Sequence, residues 1–511
     1  MKLFLLIAGI LVVSATSALA ELNTESAGSL NSIGQITSVS QLSDVQPTDW
    51  TFQAVQSLIN RYACITGNAD RTFQGDRPLT RYEFAVGLNA CLSRLSEQAT
   101  TSVRAEDLET LTRLQQEFAA ELATIRGRID TLEARTAILE AQQFSTTTKL
   151  RGQVIIAVNA GDFTGDRIVD AQGKVIADEQ PNPTLLYRVA LDLNTSFKGT
   201  DSLRILLETG AGGRTTNAAG LLEPSFGSVL DFAVKPPTRE TFGIGRLVYS
   251  FNPTRDLRVA IGPEVRISDY IDRNRYANSS FRDFSSQIFA NNLLLMTNDG
   301  PSSGGFISWS PGSGVVSLRA MYSARDAASS STEGPIRGGA SFLPLLYPVQ
   351  GGDRGLFGDT HQYTAELEYA PSATFVLRVQ YAGGEVFSNR FDVFGVNAEL
   401  QLAPQLALFG RYGYGSYDNT TFGNISPGYW MFGAAFPDLL KQGSLAGIAI
   451  GQPFIADEIG DTTQTNFEAF YRFSVSDNIS VTPLVQVVTN SSNQSSNSTI
   501  ITGTVRIVFS F

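Results

Sequence analysis

Apolar residues recur at every second position through most of the C-terminal two-thirds of the chain. In the last segment Ile501, Gly503, Val505, Ile507, Phe509 and Phe511 share one face; Thr502, Thr504, Arg506, Val508 and Ser510 share the other. The same alternation sets Phe467, Ala469, Tyr471 and Phe473 against Glu468, Arg472 and Ser474. Tyr363, Ala365, Leu367 and Tyr369 oppose Gln362, Thr364, Glu366 and Glu368, and Leu185, Tyr187 and Val189 oppose Arg188 and Asp192. A period of two describes a strand with one apolar face. About ten residues of it, tilted, cross the hydrocarbon core of a bilayer. About sixteen such segments follow one another from Lys149 onward, an even count.

The connections alternate in length. Short ones fall at 197–201, 251–256, 310–314, 370–373, 403–405 and 476–478. Long ones fall at 161–183, 211–239, 268–301 and 325–359, with smaller excursions near Tyr417, Asp457 and Asn493. Tight turns on one side and long loops on the other predict an all-β transmembrane barrel of about sixteen antiparallel strands over 146–511. Both of its ends then fall on the tight-turn side, the periplasm.

A different period precedes the barrel. Leu111, Phe118, Ile125, Leu132 and Leu139 recur every seventh residue, with Leu108, Gln115, Leu122, Ile129 and Thr136 three before each. About five heptads predict a coiled-coil helix over 104–143, roughly 60 Å long. One seam per chain implies self-association. Before it, Trp50 to Tyr62 and Thr80 to Leu95 read as two short helices. Thr80 with Glu83 three residues on forms a capping box. At the start, Lys2, the apolar run Leu3 to Val13 and Ala18-Leu19-Ala20 form a secretory signal over 1–20, with cleavage expected before Glu21.

Composition sharpens the picture. The formal charge of -11 speaks against a nucleic-acid partner. Mean hydropathy is -0.02, which an alternating barrel reaches while still presenting a lipid face. The two cysteines, Cys64 and Cys91, are expected to pair in an oxidising compartment. His361 is the only histidine, so neither a zinc site nor a serine-histidine hydrolase is indicated. Asp162, Asp166 and Asp170 do not have the spacing of a calcium loop. No enzyme, metal or cofactor is expected.

The stretch 39–95 resembles the surface-layer homology (SLH) domain. Leu42-Ser43-Asp44-Val45, Trp50, Ala54, Leu58, Gly67, Phe73, Pro78 and Thr80-Arg81-Tyr82-Glu83 carry the likeness. The resemblance implies binding to polysaccharide attached to peptidoglycan. Arg81 would meet an anionic group of the glycan, where a guanidinium fork matches a carboxylate. Asp44, Trp50, Thr80 and Glu83 would shape that pocket or its scaffold.

The region after it resembles the OprB-type carbohydrate-selective porin family. Ile261-Gly262-Pro263, Ser268-Asp269-Tyr270-Ile271-Asp272, Phe284-Ser285-Ser286, Asn291-Asn292 and the terminal Phe511 carry this likeness. With one SLH domain and a coiled coil, the whole is similar to the outer-membrane porins of cyanobacteria. The resemblance implies a homotrimer in outer-membrane lipid, with peptidoglycan-linked polysaccharide as partner. It implies passive diffusion of small ions and solutes, sugars among them. Two other readings stay open: a structural anchor between membrane and wall, and an uptake channel for one carbohydrate or iron species.

In a pore, function is geometry plus field, so inward-pointing charges matter. The long loop from Ile267 to Pro301 is the constriction candidate. It brings together Arg266, Asp269, Asp272, Arg273, Arg275, Arg282 and Asp283, with Tyr270, Tyr276, Phe281 and Phe284 between them. On inward strand positions arginines outnumber acids, which predicts a mild preference for anions.

Overall fold

The computed structural model describes residues 147–511 apart from 235–241, 313, 335 and 337, and before them only positions 34–35, 52, 56, 59–60, 66–67, 131 and 133. The chain divides into two units, Met1–Ile138 and Leu139–Phe511. In the first, Phe52, Gln56, Ile59 and Asn60 are helical, as are Thr131 and Glu133, while Gly34–Gln35 pairs antiparallel with Thr66–Gly67. The expected signal segment, the cysteine pair Cys64 and Cys91, and Asp44, Trp50, Thr80, Arg81 and Glu83 lie outside the described residues. So does nearly all of the expected coiled coil.

The second unit is a closed antiparallel barrel of sixteen strands. They are β1 Thr148–Phe163, β2 Thr184–Thr195, β3 Ser202–Gly210 and β4 Gly243–Thr254. Next come β5 Leu257–Val265, β6 Ser302–Trp309, β7 Val316–Ala324 and β8 His361–Ser372. Then follow β9 Phe375–Val386, β10 Asn389–Ala403, β11 Leu406–Thr420 and β12 Gly428–Pro437. Last are β13 Leu445–Ile455, β14 Thr465–Ser476, β15 Ile479–Thr489 and β16 Ile500–Ser510. β16 closes on β1, with Thr504 opposite Asn159 and Arg506 opposite Ala157, so the barrel has no open edge.

The alternation read from the sequence is the alternation of faces. On β16, Ile501 and Val505 each leave 46% of their surface on the outside while Arg506 is fully enclosed. Tyr363, Leu367 and Tyr369 of β8 point outward; Gln362, Thr364 and Glu366 are buried inside. Outward aromatic side chains gather near both ends. Phe197, Tyr249 and Phe251 pack ring to ring in series at the turn end, and Tyr363, Tyr381 and Phe394 do so toward the loop end. Such belts sit at the two membrane–water interfaces.

Turn-side connections are short throughout. The loop side differs from expectation at two points: β9 and β10 are joined by Phe387 and Ser388 alone, both left-handed at φ 52 and φ 64. Two such residues make the hairpin turn whose twist fits the strands. Nothing like Asn-Gly announces it. The Phe387 ring is buried edge-on to Tyr347 of the preceding long loop, and that packing holds the turn. Likewise Tyr417 lies within β11, which runs on to Thr420.

Three loops, L2 (211–242), L3 (266–301) and L4 (325–360), fold into the barrel rather than away from it. They carry short helices: α1 Ala218–Leu222 and α2 Asp231–Val234 on L2, α3 Gln287–Ala290 on L3, and α4 Leu343–Leu346 on L4. Their apolar side chains make a core inside the lumen. Phe226 of L2 stacks on Phe454 of β13 at 5.0 Å, and Phe342 of L4 approaches the same ring at 5.2 Å. Phe284 of L3 meets Phe470 of β14 edge-on at 4.9 Å. Removing this area from water is what drives the loops inward.

Candidate functional site

L3 is fastened along one half of the inner wall by buried carboxylates that receive its backbone N–H groups. Glu366 of β8 accepts from Asp272 N at 2.8 Å, and Glu399 of β10 accepts from Arg275 N at 2.9 Å. Glu468 of β14 accepts from Ser285 N and Ser286 N at 2.6 and 3.0 Å. Arg506 of β16 donates to the Ser280 and Asp283 carbonyls and to the Ser285 hydroxyl. Tyr429 of β12 donates to Ile288 O at 2.6 Å. These inward polar residues meet a loop backbone that would otherwise lose its water unpaired.

This half of the wall also carries a continuous ladder of ion pairs. Arg319 bridges Glu366 and Glu368, and Arg378 bridges Glu368 and Glu399, at 2.5 to 3.0 Å. Arg411 forms a separate pair with Asp272 of L3. Three guanidinium groups thus meet four carboxylates along this wall.

The structure therefore separates the seven candidate charges of L3. Asp272 is fully buried against Arg411, Asn397 and Gln380. Asp283 is buried too and accepts from the backbone N–H groups of Asn278 and Ser279. Burial pushes the Asp283 carboxyl up to about 7, against the opposing pull of those N–H groups and of Arg506. Arg275 is exposed, donating to Ala373 O at 2.9 Å, and Arg282 is exposed as well. Arg266, Asp269 and Arg273 face the other half of the barrel. Asp269 pairs with Arg246 of β4, which holds its carboxyl well below the ordinary range in spite of burial.

Between L3 and the β1–β5 wall lies open space. On the loop side a cavity of about 680 Å³ is lined by Asp231 of L2, Arg266, Gln287 and Asp299 of L3, and Gly338 and Gly339 of L4. A cavity of about 60 Å³ shares Asp231, Gln287, Asp299 and Gly339 with it and reaches Asn291. Asn291 also lines a third cavity of about 780 Å³ that extends to Arg151, Ser510 and Phe511 at the turn end. Their shared lining places the three in series past L3, with the smallest in the middle.

The turn-side cavity is lined by Arg151, Arg188, Arg204, Arg246 and Arg273, and by Asp192, Glu208 and Asp269. Arg188 pairs with Glu208 at 2.6 Å and Arg204 with Asp192 at 2.8 Å. Five guanidinium groups face three side-chain carboxylates there. Low-dielectric walls focus such a field along the passage.

L2 and L4 were not legible as parts of this site. The buried Glu223 carboxylate gathers the N–H groups of Ser225, Phe226 and Ser228, and so fixes the turn that carries α2 inward. Leu230 and Ser286 then bridge L2 to L3, and Ser341 of L4 donates to Ser225 O at 2.8 Å. A lone Glu in a loop has no spacing signal that announces such a role.

Comparisons with known proteins agree with this geometry. Residues 105–511 match the family model "Carbohydrate-selective porin, OprB family", and residues 41–85 match the S-layer homology domain. An uncharacterised protein of Nostoc sp. is 36% identical over 530 residues, covering 95% of this chain and 87% of its own. One of Synechocystis sp. is 31% identical over 521 residues, covering 94% and 92%. The outer membrane protein SlpA of Thermus thermophilus is similar over 122 residues at 35% identity, 22% of this chain and 13% of its own. Among solved structures, the high-pH structure of Pseudomonas putida OprB aligns at TM-score 0.55 and 12% identity, covering 75% of this chain and 97% of that one.

Proposed function

The chain belongs to the carbohydrate-selective porin, OprB family, and on that premise we propose that it passes small hydrated solutes, inorganic ions foremost and small sugars with them, by passive diffusion along the path between L3 and the β1–β5 wall. The barrel resides in the bacterial outer membrane with the SLH domain in the periplasm. Family and fold are those of a channel rather than an enzyme.

One observation carries the reading: cavities of about 680 and 780 Å³ each share lining residues with a smaller one of about 60 Å³ between them, which we take as the waist of the route. A waist of that size holds a few waters. Solutes crossing it must be small. Arg266, Asp269, Arg273 and Asp299 are the L3 charges that border the path; the guanidinium excess in the turn-side cavity favours anions, while Asp231 and Asp299 at the waist oppose it, so the preference is mild. Asp272, Arg275 and Asp283 act through the fastening of L3 instead, while Arg282 is exposed.

The organisation into signal segment, SLH domain at 39–95, coiled coil at 104–143 and barrel belongs to the same proposal, as does wall binding through Arg81 with Asp44, Trp50, Thr80 and Glu83. We propose a homotrimer joined by the heptads. The loop-end aromatic belt supports copies on one side: it is dense on β7–β12, with Tyr322, Tyr363, Phe394, Tyr414 and Trp430, and thins toward β1.

Planar-bilayer recording of the full chain tests the function. Stable openings with a reversal potential displaced toward that of chloride in a salt gradient are expected, and Arg151→Gln with Arg273→Gln should move it toward zero. A protein without stable conductance would instead be a membrane-to-wall anchor, and clear cation selectivity would contradict the charge argument.

A further inference from the structure

Arg325 follows the last residue of β7, and its side chain turns inward to become one of the largest fully buried groups of the barrel. Its Nη2 donates to the carbonyl of Asp299, where L3 climbs back to β6, at 3.0 Å. Its backbone N–H donates to Thr360 O, which ties it to the start of β8. Burial lowers the guanidinium's affinity for its proton to about 10, while Asp299 and Asp326 pull the other way. It remains a cation at any physiological pH.

Three glycines from two loops close around this guanidinium. Gly338 and Gly339 of L4 have φ +94 and φ +101, and Gly300 of L3 has φ +151. A Cβ on Gly338 would stand 2.7 Å from Nη1, and one on Gly339 3.0 Å from Nη2. The L4 backbone therefore lies against the guanidinium more closely than a Cβ at Gly338 would allow without a shift, in a left-handed conformation that favours glycine. The same residues border the path. Asp299, Gly300, Gly338 and Gly339 line the loop-side cavity, and Asp299 and Gly339 also line the waist. Asp299 continues the connection across L3, its carboxylate accepting from Ser268 N and Oγ at 3.1 and 2.9 Å.

We propose that Arg325 is the positioning residue that sets the width of the waist, by holding the Gly338–Gly339 strand of L4 against the Asp299–Gly300 end of L3. The planar guanidinium reaches both loops at once, where a lysine ammonium is a point charge with no fork. Among the described residues one backbone link ties L4 to L3 nearby, Ala340 N to Thr297 O at 3.0 Å, so losing Arg325 leaves the loop hinged there rather than free. The outcome is a wider passage.

This inference rests on the path being the route of conduction. The test measures single-channel conductance in potassium chloride and the size limit for sugar entry into liposomes, with the full chain reconstituted. Arg325→Met is expected to raise conductance at least about twofold and to admit sugars that the native protein excludes; Arg325→Lys should fall between them. Gly338→Ala keeps the arginine and folds the same barrel, yet displaces L4 from it, and is expected to widen the pore similarly. If both Arg325→Met and Gly338→Ala keep native conductance and native size limit, Arg325 does not set the waist. If the native protein shows no channels, the conduction route itself fails, and that result is distinct from an unaltered pore.

Discussion

The carboxylate of Asp272 and the guanidinium of Arg411 lie 3.0 Å apart with neither side chain reaching solvent. The pair joins the descending arm of L3 to β11, and Arg411 also donates to the carbonyls of Asp272, Ala277 and Phe289. Asp272 is left-handed at φ 57, a conformation that Asp and Asn tolerate better than other side chains.

Asp272→Asn therefore removes the charge without straining the backbone and isolates the pair. It leaves Arg411 buried and uncompensated, which costs about 3–5 kcal/mol. We expect a clear fall in the temperature at which the detergent-solubilised barrel loses its compact electrophoretic form, together with noisier openings as L3 loosens. Arg411→Gln alone should do the same. The double variant should lose less than the sum of the two, since the partners are coupled. Equal midpoints for native and Asp272→Asn proteins would show that L3 does not depend on the pair.

Asp283 gives a pH dependence of defined sign. Burial raises its carboxyl from the ordinary 3.8 to about 7, so between those values the folded protein holds a proton that the unfolded chain has released. Stability from this group is complete below about pH 4 and declines as pH climbs to about 7, with no further loss from it above. Denaturant midpoints measured from pH 4 to 8 should fall more steeply for the native protein than for Asp283→Asn, which stays neutral throughout. Parallel profiles would remove Asp283 from the account. Asp201 in the β2–β3 turn runs the other way: the Lys198 N–H leads in lowering its carboxyl to about 2, so its contribution is lost only as pH falls below the ordinary range.

The barrel was legible because lipid outside and polar groups inside impose a strict period of two, and Ile501 to Phe511 can satisfy it in only one register. The loops were less so. Arg266 to Asp283 were recognisable as a cluster of charges, yet nothing in their spacing separates Asp272, which is spent on Arg411, from Arg273, which borders the path. That distinction is made by β8–β14 residues up to about two hundred positions away, such as Glu366 and Glu468. Glu223, Asp231 and Arg325 were invisible for the same reason. Their roles arise only where L2, L3 and L4 meet, and no local pattern records that meeting.

The seam of the barrel offers a test of closure. Phe511 continues the pairing of β16 beyond its last strand residue, exchanging backbone hydrogen bonds with Gly152 at 2.7 and 3.0 Å. Its ring lies over Gly152, where a Cβ would stand 2.1 Å from a ring carbon. Gly152→Val must push the ring away or break the last rung. We expect it to reduce the refolded fraction in detergent severalfold, with Phe511→Ala in the same chain recovering part by making room. Undiminished refolding of Gly152→Val would mean that the last rung is dispensable.

Wall attachment is separable from conduction if the SLH domain is the tether, because the residues that border the path all belong to the barrel. Deleting Asp44 to Leu95 should abolish sedimentation with purified wall material and leave single-channel conductance at the native value. Arg81→Ala should weaken sedimentation nearly as much. Arg81→Lys should keep part of it, increasingly sensitive to salt, since a point charge replaces a bidentate fork. Thr80→Ala should cost about 1 kcal/mol of helix capping and so lower stability more than binding. If the deleted protein still sediments with the wall, attachment lies elsewhere in the chain and Arg81 is a capping-box neighbour with no glycan to hold.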